Sequence, residues 1–143
     1  MKSTVETREP VKLLCVRKPC TNPEDVGSVA NNAISLVESR MPRKADGKPL
    51  LTGRKCYGIF TGKEYIAGVA FREGDNAKAL GLEEFEIPGG KYARTTIKDL
   101  PNHAQYIGPA FDELAQTYTS DPTRHFVEFY RSHLEVVLLM PVK

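Results

Sequence analysis

Tryptophan is absent from this 143-residue chain, and cysteine and histidine each occur only three times. The missing Trp removes one kind of aromatic wall from any ligand site. Cys15, Cys20 and Cys56 are an odd set without metal-like spacing, which excludes a disulfide framework. Cys15 and Cys56 fall in strand-like segments and read as buried thiols, which fits a reducing cytoplasm. His103, His125 and His133 are scattered and form no ligand pair with cysteine, so neither a metal nor a cofactor is expected. No Gly-Lys-Ser or Gly-Lys-Thr phosphate loop follows a strand, and no Gly-x-Ser-x-Gly nucleophile motif is present. No apolar run approaches the ~20 residues of a membrane span, and MKSTVETREP lacks the apolar core of a signal peptide. Charge of one sign is lacking too: 20 basic residues face 18 acidic ones, for a net +2. Phosphate binding takes a clustered basic surface. The one basic run, PRKADGKPLLTGRK (42–55), reads as a solvated loop, so neither a nucleic-acid nor a membrane partner is expected.

What is present is an ordinary globular pattern, 41% apolar and 27% charged, long enough for a core of its own. Residues 1–9 read as a flexible N-terminus and 10–143 as one domain. VKLLCVRK (11–18) predicts a strand. The next segment opens with Asn22 as cap, Pro23 at the first helical position, and Glu24 and Asp25 at the positive end of the dipole. Val26, Val29, Ala30, Ala33 and Val37 then form one apolar stripe, and Pro42 predicts the stop. KCYGIFTG (55–62) and EYIAGVAFRE (64–73) predict a hairpin turning at Thr61–Glu64. The order then repeats: a strand, a Pro88-Gly89-Gly90 break and a second strand within 85–98, a helix within 103–118, and two strands over 125–133 and 134–143. Pro109 predicts either a kink or a regular helix that starts near Gly108. Ala110, Leu114 and Tyr118 share its inner face, with Phe111 and Ala115 beside it. The fold class is therefore α+β: two βαββ repeats about a pseudo-twofold axis, antiparallel sheets, both helices on one side and a concave ligand cleft on the other.

The segment HFVEFYRSH (125–133) carries the sharpest chemical signal. Strand alternation puts Phe126, Glu128 and Tyr130 on one face, and His125, Val127 and Phe129 on the other. The second set is expected to turn toward the helices and the first to line the cleft. Glu128 then sits between two aromatic rings. Taking a carboxylate out of water favours protonation or a positive partner, and ring faces attract cations by about 0.5–2 kcal/mol each. A half-solvated surface glutamate is the plain alternative. Gly58 and Phe60 occupy the places of Glu128 and Tyr130 in the first repeat, with Cys56 on the same face. Ala67, Val69 and Phe71 share a face of the next strand. Gly89 and Gly90 read as structural, allowing the bend between strands.

Five segments, in order, resemble the GyrI-like small-molecule-binding domains, which are also the effector-binding domains of bacterial transcription activators and belong to the SOUL-like superfamily. IPGGKY (87–92) looks like the family's Ile-Pro-x-Gly-x-Tyr signature. TGRKCYGIF (52–60), IAGVAF (66–71), FVEFY (126–130) and LLMPVK (138–143) are similar to its other strands. The resemblance covers roughly residues 10–143 and implies the two-repeat fold. It also implies a buried acid, matched by Glu128, that faces lipophilic cations, and a signature tyrosine, matched by Tyr92. The expected site is Glu128, Tyr130, Phe126, Tyr92, Phe60, Gly58, Phe71 and Cys56. With no helix-turn-helix segment in the chain, the expectation is a stand-alone binder of a flat hydrophobic, cationic ligand, for drug or toxin sensing or sequestration. Two alternatives follow from the same family. One is a hydrolase that uses Glu128, with Tyr130 or Tyr92, on reactive electrophilic natural products. The other is a gyrase-interacting or other protein-binding module.

Overall fold

The structure, a computed structural model, describes residues 2–41, 54–132 and 134–143. His133 and most of the basic run 42–55 lie outside the described residues. In chain order the elements are β1 (Thr4–Arg8), β2 (Val11–Pro19), α1 (Val26–Arg40), β3 (Cys56–Phe60), β4 (Glu64–Ala70), α2 (Ala77–Leu80), β5 (Glu83–Ile87), β6 (Gly90–Lys98), α3 (Leu100–His103), α4 (Ile107–Thr117), β7 (Val127–Ser132) and β8 (Glu135–Pro141). They divide into two compact units. The first is Val11–Ile87, and the second combines Met1–Pro10 with Pro88–Lys143.

In the first unit the strands run antiparallel in the order β5-β2-β4-β3. The Asn22 side chain accepts from the Glu24 amide at 3.0 Å and starts a short turn that leads into α1. α1 ends at Arg40, with Met41 already extended as the following proline requires. Its stripe behaves as the spacing predicts: Ala33 and Val37 are buried, and Val26, Val29 and Ala30 are partly so. They pack on Val16 and Leu14 of β2 and on Ala67 and Val69 of β4. The β3–β4 hairpin turns at Gly62, which takes φ of 89°. Gly68 of β4 meets β2 so closely that a Cβ would lie 2.4 Å from the Leu14 carbonyl oxygen and 2.8 Å from Cys15 Cβ. Gly68→Ala is therefore expected to lower stability by about 1–3 kcal/mol, the usual penalty of overpacking, measured as a shift in the urea midpoint at constant m-value.

The second unit repeats the plan, with strand order β1-β6-β8-β7. α4 lies over β6 and β8 and buries Ala110 and Leu114 against Ala93, Ile97, Val136, Leu138 and Met140. Pro109 falls in the first turn of α4, where a missing amide costs nothing, so the helix neither kinks nor breaks there. The chain is thus α+β, with a βαββ order in each unit, as the sequence reading has it.

The strand expected before the Pro88-Gly89-Gly90 break is β5, which pairs with β2 in the first unit. One strand is not expected: β1 of the second unit, drawn from the segment read as a flexible terminus. TVETR is too polar to advertise a strand. It is held by the β6 ladder and by two side-chain bonds that fix the residues before it. Thr95 Oγ1 donates to the Lys2 carbonyl at 2.9 Å, and the Ser3 and Tyr118 hydroxyls lie 3.0 Å apart.

Candidate functional site

The site residues follow from which face of each sheet they occupy. In an antiparallel ladder, directly opposed residues point to the same side. Glu128 opposes Leu138, and Tyr130 opposes Val136. Leu138 and Val136 belong to the core beneath α4, and Phe126 and Tyr130 pack against that core. Phe126, Glu128 and Tyr130 therefore share the helix-bearing face, which corrects the expectation that they turn away from the helices. Val127 and Phe129, expected toward the helices, take the other face, opposite Leu139 and Val137. The reason is the register, since β8 presents Val136, Leu138, Met140 and Val142 to α4. On the helix-free face of this unit Val127, Phe129, Val137, Leu139 and Tyr92 are all buried.

α4 sits over β6 and β8, so β7 lies beside the helix rather than beneath it. There Glu128 is half-buried between half-buried Phe126 and Tyr130. The Phe126 ring packs against Phe111 of α4, centroids 5.1 Å apart and planes at 43°. Phe111 was expected beside the inner face of the helix, but not at the site; a ring contact across elements leaves no trace in sequence spacing. Glu128 also has an interaction partner within the chain. The acid is thus not idle, and a ligand would share or replace what it already holds.

Tyr92 is not brought to this face. It sits on the opposite side of β6, and its hydroxyl donates to the Pro88 carbonyl at 2.6 Å. The PGGKY turn closes on itself through that bond. Gly90 has φ of 137°, and a Cβ at Gly89 would lie 2.8 Å from Pro10 Cδ and 2.9 Å from the Arg8 carbonyl oxygen. The structural reading of both glycines holds.

In the first unit, β3 stands to β4 as β7 stands to β8: Gly58 opposes Ala67 and Phe60 opposes Tyr65. Phe60 packs with Tyr65, Ala67 and Ala33, and Cys56 with Val69 and Leu14, so both belong to the α1-bearing face. Burial pushes the Cys56 thiol pKa up, which disfavours a reactive thiolate. Phe71 shares the face, but its ring is already covered: Lys12 Nζ lies 4.2 Å from its centroid and 3.0 Å from Glu84 Oε1. An open hollow of about 590 Å³ runs along α1 between Lys18, Pro19, Val29, Asn32, Leu36 and Ser39. It contains none of the expected residues, and its wide mouth suits no enclosed ligand. Among the described residues no three His, Cys, Asp or Glu side chains gather to hold a metal, and no helix is long and apolar enough to cross a membrane.

Two βαββ orders on antiparallel sheets, with the acid–aromatic strip on β7, define an α+β protein with the GyrI-like fold. No protein-family model matches the chain, and no curated protein does. Solved structures do match along its whole length. SAV2435 bound to tetraphenylphosphonium superposes with a TM-score of 0.66 at 12% identity, covering 100% of this chain and 94% of that one. An integron cassette protein from the mobile metagenome of Vibrio cholerae gives 0.62 at 16%, covering 99% and 95%. A hydrolase from Listeria innocua gives 0.55 at 9%, covering 99% and 92%.

Proposed function

We propose that this protein binds a small hydrophobic cation on the α4-bearing face of its second unit, for sensing or sequestration. Glu128 is the counter-charge, and Phe126 and Tyr130 are the walls. The observation that carries this is a half-buried carboxylate set between two half-buried rings, on the strand that α4 leaves beside it. A carboxylate in partly apolar surroundings gains more from a cation than one in open water, because the local dielectric is lower. The rings add about 0.5–2 kcal/mol per cation contact. The chain itself uses this chemistry elsewhere: Lys12 lies against the Phe71 ring and the Glu84 carboxylate, and Arg17 against the Phe85 ring and the Glu64 carboxylate. SAV2435, which shares the fold, was solved with tetraphenylphosphonium, a cation of this class. Gly58 holds the equivalent place in the first unit, so of these two positions only β7 offers an acid.

Titration with tetraphenylphosphonium tests the proposal. Glu128→Gln keeps the shape and removes the charge, and is expected to weaken binding about tenfold, or ~1.4 kcal/mol. Neutral triphenylphosphine oxide is expected to bind more weakly than the cation to the native protein and equally to both forms. Equal affinity of the native protein and Glu128→Gln for the cation would remove Glu128 from the site.

A further inference from the structure

The PGGKY signature and the site lie on opposite faces of the second unit, yet a single side chain joins the signature to the start of β7. Arg124 stands three residues before Val127. Its guanidinium lies 4.8 Å from the Tyr92 ring centroid. Its Nη2 donates to the Lys91 carbonyl at 3.1 Å and to the Val142 carbonyl at 2.9 Å, tying β6 to the end of the chain. Its Nε donates to Asp121 Oδ2 at 3.2 Å. Asp121 in turn accepts from the Thr123 amide at 2.9 Å and from the Thr123 hydroxyl at 2.6 Å, and its own amide donates to the Pro141 carbonyl at 2.8 Å. The remaining nitrogen, Nη1, is buried without an acceptor among the described residues and packs where a side chain at Gly90 would stand, 2.8 Å from that Cβ position. Gly90 is thus the seat for this guanidinium, which gives the second glycine of the turn a structural reason.

We propose that Arg124 is a positioning residue for the β7 site: seated on the Gly90–Tyr92 turn, it fixes the loop 118–126 and so sets where Phe126 and Glu128 enter the α4-bearing face. The two ends of the loop have anchors of their own, the Tyr118 hydroxyl meeting Ser3 and the Phe126 ring packing on Phe111. The Ser120–Val142 bridge and the Asp121 contacts hold its first half, and Arg124 holds the last turn before Phe126. A planar fork spread over two carbonyls, a carboxylate and a ring cannot be reproduced by an ammonium. This inference rests on the ligand reading above for its consequence, but not for its geometry.

The test uses the full chain labelled with 4-fluorophenylalanine, the Phe126 fluorine resonance being assigned with Phe126→Leu. Arg124→Ala is expected to shift and broaden the Phe126 resonance while leaving those of Phe71 and Phe85 in place. It is also expected to weaken tetraphenylphosphonium binding on the order of tenfold, as when groups that hold a binding residue are removed. Arg124→Lys and Asp121→Asn should move the same resonance by less, and they serve if the alanine variant does not fold. An unmoved Phe126 resonance in all three variants overturns the proposal, whatever the ligand does. A native protein that ignores tetraphenylphosphonium overturns the ligand reading instead, and the fluorine spectrum still decides the role of Arg124.

Discussion

Replacing Arg54 by alanine is expected to lower the stability of the protein by about 3 kcal/mol, the lower end of what removing one member of a buried ion pair costs. The Arg54 side chain is only 9% exposed and grips Asp75 with both terminal nitrogens, at 2.6 and 3.0 Å. Asp75 also accepts from the Arg72 amide at 2.8 Å, so the turn after β4 closes around this carboxylate. The loss would leave Asp75 without its cation. The same contact gives the effect a pH signature. Hydrogen bonds from Arg54, and to a lesser extent the Arg72 amide, hold the Asp75 pKa below its ordinary value. A carboxyl with a lowered folded pKa contributes its full stabilisation above the ordinary value of about 3.9 and loses it as the pH falls below that. Urea melts at pH 7 and pH 3 should therefore show the gap between native protein and Arg54→Ala narrowing at pH 3. A gap that stays constant would mean that Arg54 acts through packing and not through the charge on Asp75.

Most of the fold could be read from the sequence because its elements carry local chemistry. The Asn22-Pro23 start, the Val26-to-Val37 stripe and the turn at Gly62 each depend on residues within a few positions of one another. β1 escaped because its stability is not local. TVETR has one buried-capable side chain, Val5, and that one is 46% exposed. The strand exists because β6 offers it a ladder from ninety residues away, and backbone hydrogen bonding leaves no mark on side-chain composition. β5 was legible as a strand before the Pro88-Gly89-Gly90 break, but its pairing with β2 was not, because a ladder partner leaves no local mark.

The candidate site was legible as a set of neighbours and illegible as a direction. Alternation correctly joined Phe126, Glu128 and Tyr130, because a period of two is intrinsic to a strand. Which face meets the helix depends on register with β8, and both alternating sets of β8, Val136-Leu138-Met140 and Val137-Leu139-Pro141, are apolar and buried. A strand buried on both faces gives no hint of which side carries α4. Tyr92 illustrates the converse. Its place in the signature made it a ligand wall by resemblance, whereas its hydroxyl is spent on Pro88, four residues back. Arg124 had no motif of its own; its role appears only once Gly90, Tyr92 and the carbonyls of Lys91 and Val142 are close together.

Register also yields the most discriminating stability experiment. Leu138 is fully buried, opposes Glu128 across the β7–β8 ladder and lies in the core under α4. Leu139 is one residue along, equally buried, and opposes Val127 on the other face. Leu138→Ala and Leu139→Ala should each cost about 2–5 kcal/mol, because each removes a buried side chain that the surrounding sheet cannot fully replace. Their effects on the site should differ. The cavity left by Leu138 lies directly beside Glu128 and under the Phe126 and Tyr130 rings, so tetraphenylphosphonium affinity should fall along with stability. The cavity left by Leu139 opens on the far side of the sheet, and affinity measured well below the melting temperature should stay at the native value. Equal loss of affinity in both variants would show that the ligand senses the stability of the sheet as a whole. Loss in Leu139→Ala alone would move the site to the face that carries Tyr92 and Phe129.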